Sequence, residues 1–272
     1  MGAGTGGPCP PIPLNSSSNP GWIGIHPPVM KCFGAAGWVM AGMLWVAATG
    51  CRTSDPVGAT GVTVTASVKP GINEEFLKPD LNPNNWVERF EKEGREVFDH
   101  RREIVAAAGL KAGSVVADVG AGTGLFTFLF GDWVGSRGKV YAVDISPVLV
   151  SHLRRRAAEG GYGQVEVVVG GEQDVRLPAR SVDTVFLCDT YHHFEYPAPM
   201  LASLHRALKP GGEILLVDFK RIPGVSSDWM LTHVRAGQEV FESEIVAAGF
   251  RKVGEPLKLK DNYVVRFRKV GR

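Results

Sequence analysis

Cysteine is scarce in this sequence, and so is excess charge. The 272 residues contain four cysteines, Cys9, Cys32, Cys51 and Cys188, none in a C-x-x-C or comparable ligand spacing. A disulfide framework and a cysteine-based zinc site are therefore not expected, and no metal is assigned from the sequence. Thirty Lys and Arg against 28 Asp and Glu leave a net charge of +2, too little to imply a polyanionic partner, so nucleic acid is not expected. No internal repeat is present, which excludes solenoid and propeller architectures. Residues 1–29 are rich in Gly, Pro, Ser and Asn and almost free of charge. That composition cannot build a core, and the segment reads as a disordered leader. The whole chain is nevertheless 44% hydrophobic and 21% charged, ordinary values for a globular domain.

The first patterned stretch is Met30-Lys31 followed by Cys32–Gly50, nineteen residues without a charge, closing on Ala48-Thr49-Gly50-Cys51. A cationic start, an apolar run and small residues before a cysteine resemble a bacterial lipoprotein signal peptide, with Cys51 as the lipidated residue. A membrane anchor is the other use of such a segment. On this reading Met30 is the true start, residues 30–51 bring the protein to a membrane, and 52–81, rich in Gly, Thr, Val and Pro, form a linker. The folded domain is expected over 82–272. Its first element is an amphipathic helix over 86–108, capped by Asn85, with Trp86, Phe90, Val97 and Phe98 on related faces.

From Ser114 the chain alternates strand and helix. Apolar, β-branched runs predict strands at 114–119, 139–145, 164–169, 182–188 and 213–219, and helical spacing appears at 124–134, 147–159 and 197–208. Two last strands, 251–259 and 262–270, are too close in sequence to enclose a helix and read as an antiparallel hairpin. The fold class is thus α/β, a doubly wound, mostly parallel seven-stranded sheet of Rossmann-like type ending in that hairpin.

Ligands of such sheets lie beyond the carboxyl ends of the strands. Strand one ends at Asp118 and runs into Gly120-Ala121-Gly122-Thr123-Gly124, a turn that lets backbone approach a nucleotide-like ligand. Strand two ends at Asp144-Ile145, where an acid can accept both hydrogen bonds of a ribose diol; Ser146, just before Pro147, makes the better helix cap. After strand three come Glu172, Gln173 and Asp174, polar groups able to read an adenine edge. After strand four come Asp189, Tyr191, His192 and His193, candidates for a general base. Arg221, Trp229, His233 and Arg235 follow strand five and suit an anionic or aromatic acceptor. Lys209–Gly212 is turn chemistry.

The motifs DVGAGTG (118–124), VYAVDIS (140–146), LPARSVDTVFLCDTYHHF (177–194) and LHRALKPGGEILLVDF (204–219) resemble those of class I S-adenosylmethionine (SAM)-dependent methyltransferases, specifically the small-molecule type called methyltransferase type 11 or UbiE-like. The resemblance runs from about 85 to 270. It implies SAM as cofactor, with Gly120, Gly122 and Gly124 beside its methionine part, Asp118 at its amino group and Asp144 at its ribose. In the segment GGEQDVRLP, Glu172, Gln173 or Asp174 would serve the adenine. A small-molecule or lipid-like methyl acceptor is implied, and a cytoplasmic side of the membrane if SAM is used. A membrane-tethered SAM-binding protein without turnover is the alternative. Base methylation of nucleic acid is disfavoured, since no Asn/Asp-Pro-Pro-aromatic segment follows strand four.

Overall fold

A computed structural model describes residues 66–271. The leader and the lipoprotein-like segment 30–51 lie outside the described residues. Among the described residues, no helix is long and apolar enough to cross a membrane.

Short helices α1 (Glu74–Leu77), α2 (Pro83–Phe90), α3 (Glu96–Asp99) and α4 (Arg101–Ala107) precede the sheet. The alternating part follows as β1 (Val115–Val119), α5 (Leu125–Val134), β2 (Lys139–Asp144), α6 (Pro147–Glu159), β3 (Val165–Val169), β4 (Val182–Cys188), α7 (Pro197–Ala207) and β5 (Leu208–Phe219). Then come α8 (Asp228–His233), α9 (Gln238–Ala247), β6 (Phe250–Lys258) and β7 (Asn262–Lys269). The sheet order is β3-β2-β1-β4-β5-β7-β6. The first five strands pair in parallel and β7 runs antiparallel to both β5 and β6. Strand order reverses between β1 and β4, the switch point where this architecture leaves a crevice.

Residues alternate faces along each strand. Val116, Val140, Phe186 and Leu215 pack with Phe126 and Phe130 of α5 and Ile104 of α4, whereas Ala117, Val143, Val185 and Leu216 pack with Leu201 and Leu204 of α7 and Phe241 of α9. Burial on both faces is why these strands lack a polar alternation. Ser146 caps α6 as read, its Oγ accepting from Leu149 N, with Pro147 at the first position. In β5 the register passes from Val182 opposite Leu208 to Thr184 opposite Glu213, so Lys209–Gly212 bulges out.

The single helix expected over 86–108 is divided into α2, α3 and α4. The cap is Asn82, whose side chain accepts from Asn84 N, with Pro83 next to it. Gly94 then turns with φ +84°, and Glu91 and Arg95 reach across to the site described below. The expected linker also ends earlier than 81. Ser67 Oγ donates to Glu195 Oε2 at 2.7 Å and Gly71 N to Glu195 Oε1 at 3.2 Å, which fastens residues 67–77 to the loop after β4.

Candidate active site

At the carboxyl end of β1, the amides of Gly120 and Ala121 donate to Val143 O at 2.8 and 3.0 Å, tying the glycine turn to the end of β2. Gly120 has φ +75°, and a Cβ there would stand 2.3 Å from Thr190 Cγ2. Both conformation and space demand glycine at this position. The next amide, Gly122 N, donates to Asp144 Oδ2 at 2.8 Å, and Ser146 N donates to Asp144 Oδ1 at 2.8 Å. Two backbone donors fix this buried carboxylate while each oxygen keeps a lone pair for a ligand. Asp118, also buried, accepts from Thr127 Oγ1 at 2.6 Å. Desolvation, reinforced by the Asp144 charge and opposed by the Thr127 bond, pushes Asp118 up to about 7; burial raises Asp144 as well. Two buried acids side by side favour a ligand that brings positive charge.

These groups line one cleft of about 960 Å³, at the upper end of small-molecule sites and roomy enough for a nucleoside cofactor with a second ligand. Asp118, Gly120, Ala121, Gly122, Thr123, Asp144, Ile145, Glu172, Asp189, His192 and His193 all face it. Four of the strand-end residues proposed from the sequence do not. Gly124 packs instead: a Cβ on it would meet Phe128 at 2.5 Å and Leu153 at 2.8 Å, so it seats the start of α5. Gln173 lies off the cleft, and Asp174 is held at the surface by Arg206. Tyr191 points into the core behind the site, fully buried, donating to Glu244 Oε2 at 2.8 Å. Desolvation and the Glu244 charge raise its phenol far above the usual value, so it is a packing pillar and no base.

Residues before β1 cover the cleft, and the sequence carried little sign of this. Phe76 and Trp86 approach to 4.6 Å, and Trp86 and Phe90 to 5.1 Å. Glu91 accepts from Thr123 Oγ1 and Arg156 Nη1, both at 2.7 Å. Arg95 Nη2 pairs with Asp189 Oδ2 at 2.6 Å, while Asn262 Nδ2 donates to Asp189 Oδ1 at 2.7 Å. Asp189, with φ +48°, is thus an anchor for the cover rather than a free base. Only the charge pattern Glu91…Arg95 could have hinted at it, and that pattern equally describes a solvated helix face.

The remaining candidates meet on the floor. His192 is buried, its Nδ1 2.7 Å from Asp218 Oδ1. His193 Nε2 lies 3.3 Å from His233 Nε2 on α8. Asn73 Nδ2 donates to His193 O at 3.0 Å. Burial first, then the neighbouring His192, lowers His193 to about 2 and His233 to about 4, so both rings are neutral near pH 7. Trp229 stacks on His233, ring centres 4.6 Å apart. Trp229 and His233 therefore join the cleft as anticipated for the segment after β5. Arg221 and Arg235 do not: Arg221 donates to the carbonyls of Leu231 and Val234, and Arg235 binds Glu244.

The sequence pattern of the family described as "Methyltransferase domain" matches residues 117–216. A ubiquinone/menaquinone biosynthesis C-methyltransferase UbiE from a Marinomonas species is 30% identical over 122 residues, 44% of this chain and 49% of that protein. The chain spans about half the length of the curated relatives it matches. A SAM-dependent methyltransferase structure from Aquifex aeolicus superposes with a TM-score of 0.62 at 26% identity, covering 70% of this chain and 100% of that one. The [4+2]-cyclase SpnF shares the fold at a TM-score of 0.60 and 18% identity, over 76% of this chain and 97% of its own. The strand order, the glycine turn and the two acids at the strand ends agree with these likenesses, which support a class I SAM-dependent methyltransferase.

Proposed function

We propose that this protein transfers a methyl group from SAM to a small, flat or lipid-like acceptor. The observation that carries the reading is the continuity of the cleft: the Asp118–Asp144 cradle opens directly into a chamber walled by Phe76, Trp86, Phe219 and Trp229. The residues of the cradle fit SAM. Asp118 would take its ammonium, Asp144 its ribose hydroxyls and Glu172 its adenine, and the carboxylates would offset the cofactor's positive charge. When bound, SAM supplies a methyl already activated on a sulfonium. The protein's own work is then to align the acceptor and keep water out, effects that can together lower a barrier by several kcal/mol. Residues 67–95 do the covering, held by the Glu195, Thr123 and Asp189 contacts. Aromatic walls suit a ring such as a phenol or quinone, in keeping with the ubiquinone/menaquinone biosynthesis that the name of the Marinomonas relative prints.

The test is calorimetric titration of SAM into the full-length protein beside Asp144→Ala, followed by methyl release with phenols, quinones and lipids. Micromolar binding lost in the variant, with turnover of one acceptor class, supports the reading. Binding without turnover favours the tethered SAM-binding protein, an outcome the cyclase on the same fold makes worth separating. Absence of SAM binding by the folded protein refutes both. Attachment through Cys51 is a further proposal, supported by the sequence pattern alone; incorporation of labelled fatty acid that Cys51→Ser removes is its test.

A further inference from the structure

Three histidines, two from the segment after β4 and one from the end of α8, meet on the chamber floor, and no step of the proposed methyl transfer needs all three. From each of His192, His193 and His233 one ring nitrogen can be chosen so that all three lie within 4.8 Å of one another. The Nε2 atoms of His193 and His233 are 3.3 Å apart. That separation is the edge of a tetrahedron whose centre lies about 2.0–2.1 Å from each nitrogen, the bond length of zinc to imidazole. We propose that His192, His193 and His233 form a binding site for a divalent first-row metal of the zinc type, with an open coordination position turned into the chamber.

The surroundings of the cluster fit a metal better than a hydrogen-bonded triad. Nδ1 of His192 is taken by Asp218, which itself accepts from the amides of His192 and Phe219. This is the carboxylate–histidine arrangement that fixes a ligand's tautomer and leaves Nε2 as the donor to a metal. Nδ1 of His193 is buried with no hydrogen-bond partner, and Nε2 is the atom directed at His233. Its carbonyl is held by Asn73 and its ring lies edge-on to Phe76 at 5.4 Å. His233 is oriented by its stack on Trp229. All three rings are thus held before any ion arrives. Two ring nitrogens 3.3 Å apart can share one proton at most, whereas a cation satisfies both lone pairs at once. Lys69 and Arg89 are the cations nearby. The Lys69 ammonium is engaged by the carbonyls of Thr232 and His233, and the Asp218 carboxylate stands directly behind His192 to offset the ion's charge. Three histidines with a free fourth position is a catalytic pattern rather than a closed structural one. Its use on the oxygen of an acceptor, polarising it or lowering the pKa of its hydroxyl, rests on the methyl-transfer reading; the site does not.

The test uses full-length protein freed of metal by a chelator and titrated with Zn²⁺ by calorimetry and with Co²⁺ by visible absorption. One equivalent should bind with a Kd of micromolar or below, and Co²⁺ should give the intense visible bands of low coordination number. His233→Ala, at a partly buried position at the end of a short helix, should weaken binding by about a hundredfold with little change in melting temperature. Asp218→Asn should weaken it by roughly 10–100-fold, as loss of an outer-shell partner does. No binding, or equal binding by His233→Ala, overturns the proposal. A SAM titration on the same samples separates the two readings: metal binding without SAM binding supports the site while refuting the proposed function, and SAM binding without metal binding does the reverse.

Discussion

The cradle makes a sharp prediction for Asp118→Asn. Asp118 is buried, and desolvation raises its pKa from 3.8 to about 7 in the ligand-free protein. A folded-state pKa above the unfolded one means that the folded protein holds the proton more tightly. The corresponding stability is fully present below pH 3.8 and is lost as pH rises through about 7. Raising the pKa from 3.8 to about 7 corresponds to about 4 kcal/mol in total, of which about 3 kcal/mol falls between pH 5 and pH 8. Asparagine has nearly the same shape, can accept from Thr127 Oγ1 through its amide oxygen, and carries no charge. Relative to wild type, Asp118→Asn should therefore gain stability steadily from pH 5 to pH 8. At about 2–4 °C per kcal/mol for a domain of this size, the difference in melting temperature should grow by roughly 6–12 °C. The assay is a thermal melt of both full-length proteins across that range without SAM. Parallel curves would refute the reasoning, because they would mean that Asp118 titrates alike in the folded and unfolded chains. The same variant should lose SAM binding, a gain of stability at the expense of function.

On the proposed binding mode, in which ionised Asp118 holds the cofactor's ammonium, SAM affinity of the wild type should fall as pH drops below about 7, by up to tenfold per unit; calorimetry in buffers of different ionisation heat should also show proton release above the cofactor's own. Gly120→Ala combines a positive φ with a contact to Thr190 at 2.3 Å and should destabilise by about 2–5 kcal/mol, read from denaturant midpoints. Arg95→Met leaves the nearly buried Asp189 carboxylate with Asn262 as its remaining side-chain partner. It should cost about 2–4 kcal/mol and loosen the cover, seen as faster proteolysis within residues 67–95. Trp229→Ala, at a half-exposed position, should leave the melting temperature within about 2 °C and raise KM for the acceptor while SAM affinity stays the same.

What the sequence determined by itself is everything set by neighbours along the chain. Apolar β-branched runs located the first five strands and the short spacing of the last two located the hairpin, although β5 starts at Leu208 rather than 213, and Ser146-Pro147 fixed the start of α6. Asp118, the glycine turn and Asp144 were placed at strand ends because strand, turn and helix are each written in a few consecutive residues. Tertiary structure decided the rest. The helix expected over 86–108 is broken because Glu91 and Arg95 are bound by Thr123, Arg156 and Asp189, contacts that no periodicity encodes. Tyr191 and His192 are adjacent in sequence, yet one points into the core at Glu244 and the other faces the cleft. The meeting of His233 with His192 and His193 depends on how the segment after β5 folds back over the loop after β4. Local pattern chooses backbone conformation, which is short-ranged; a site is a matter of which distant side chains share a volume, and only the packed chain fixes that.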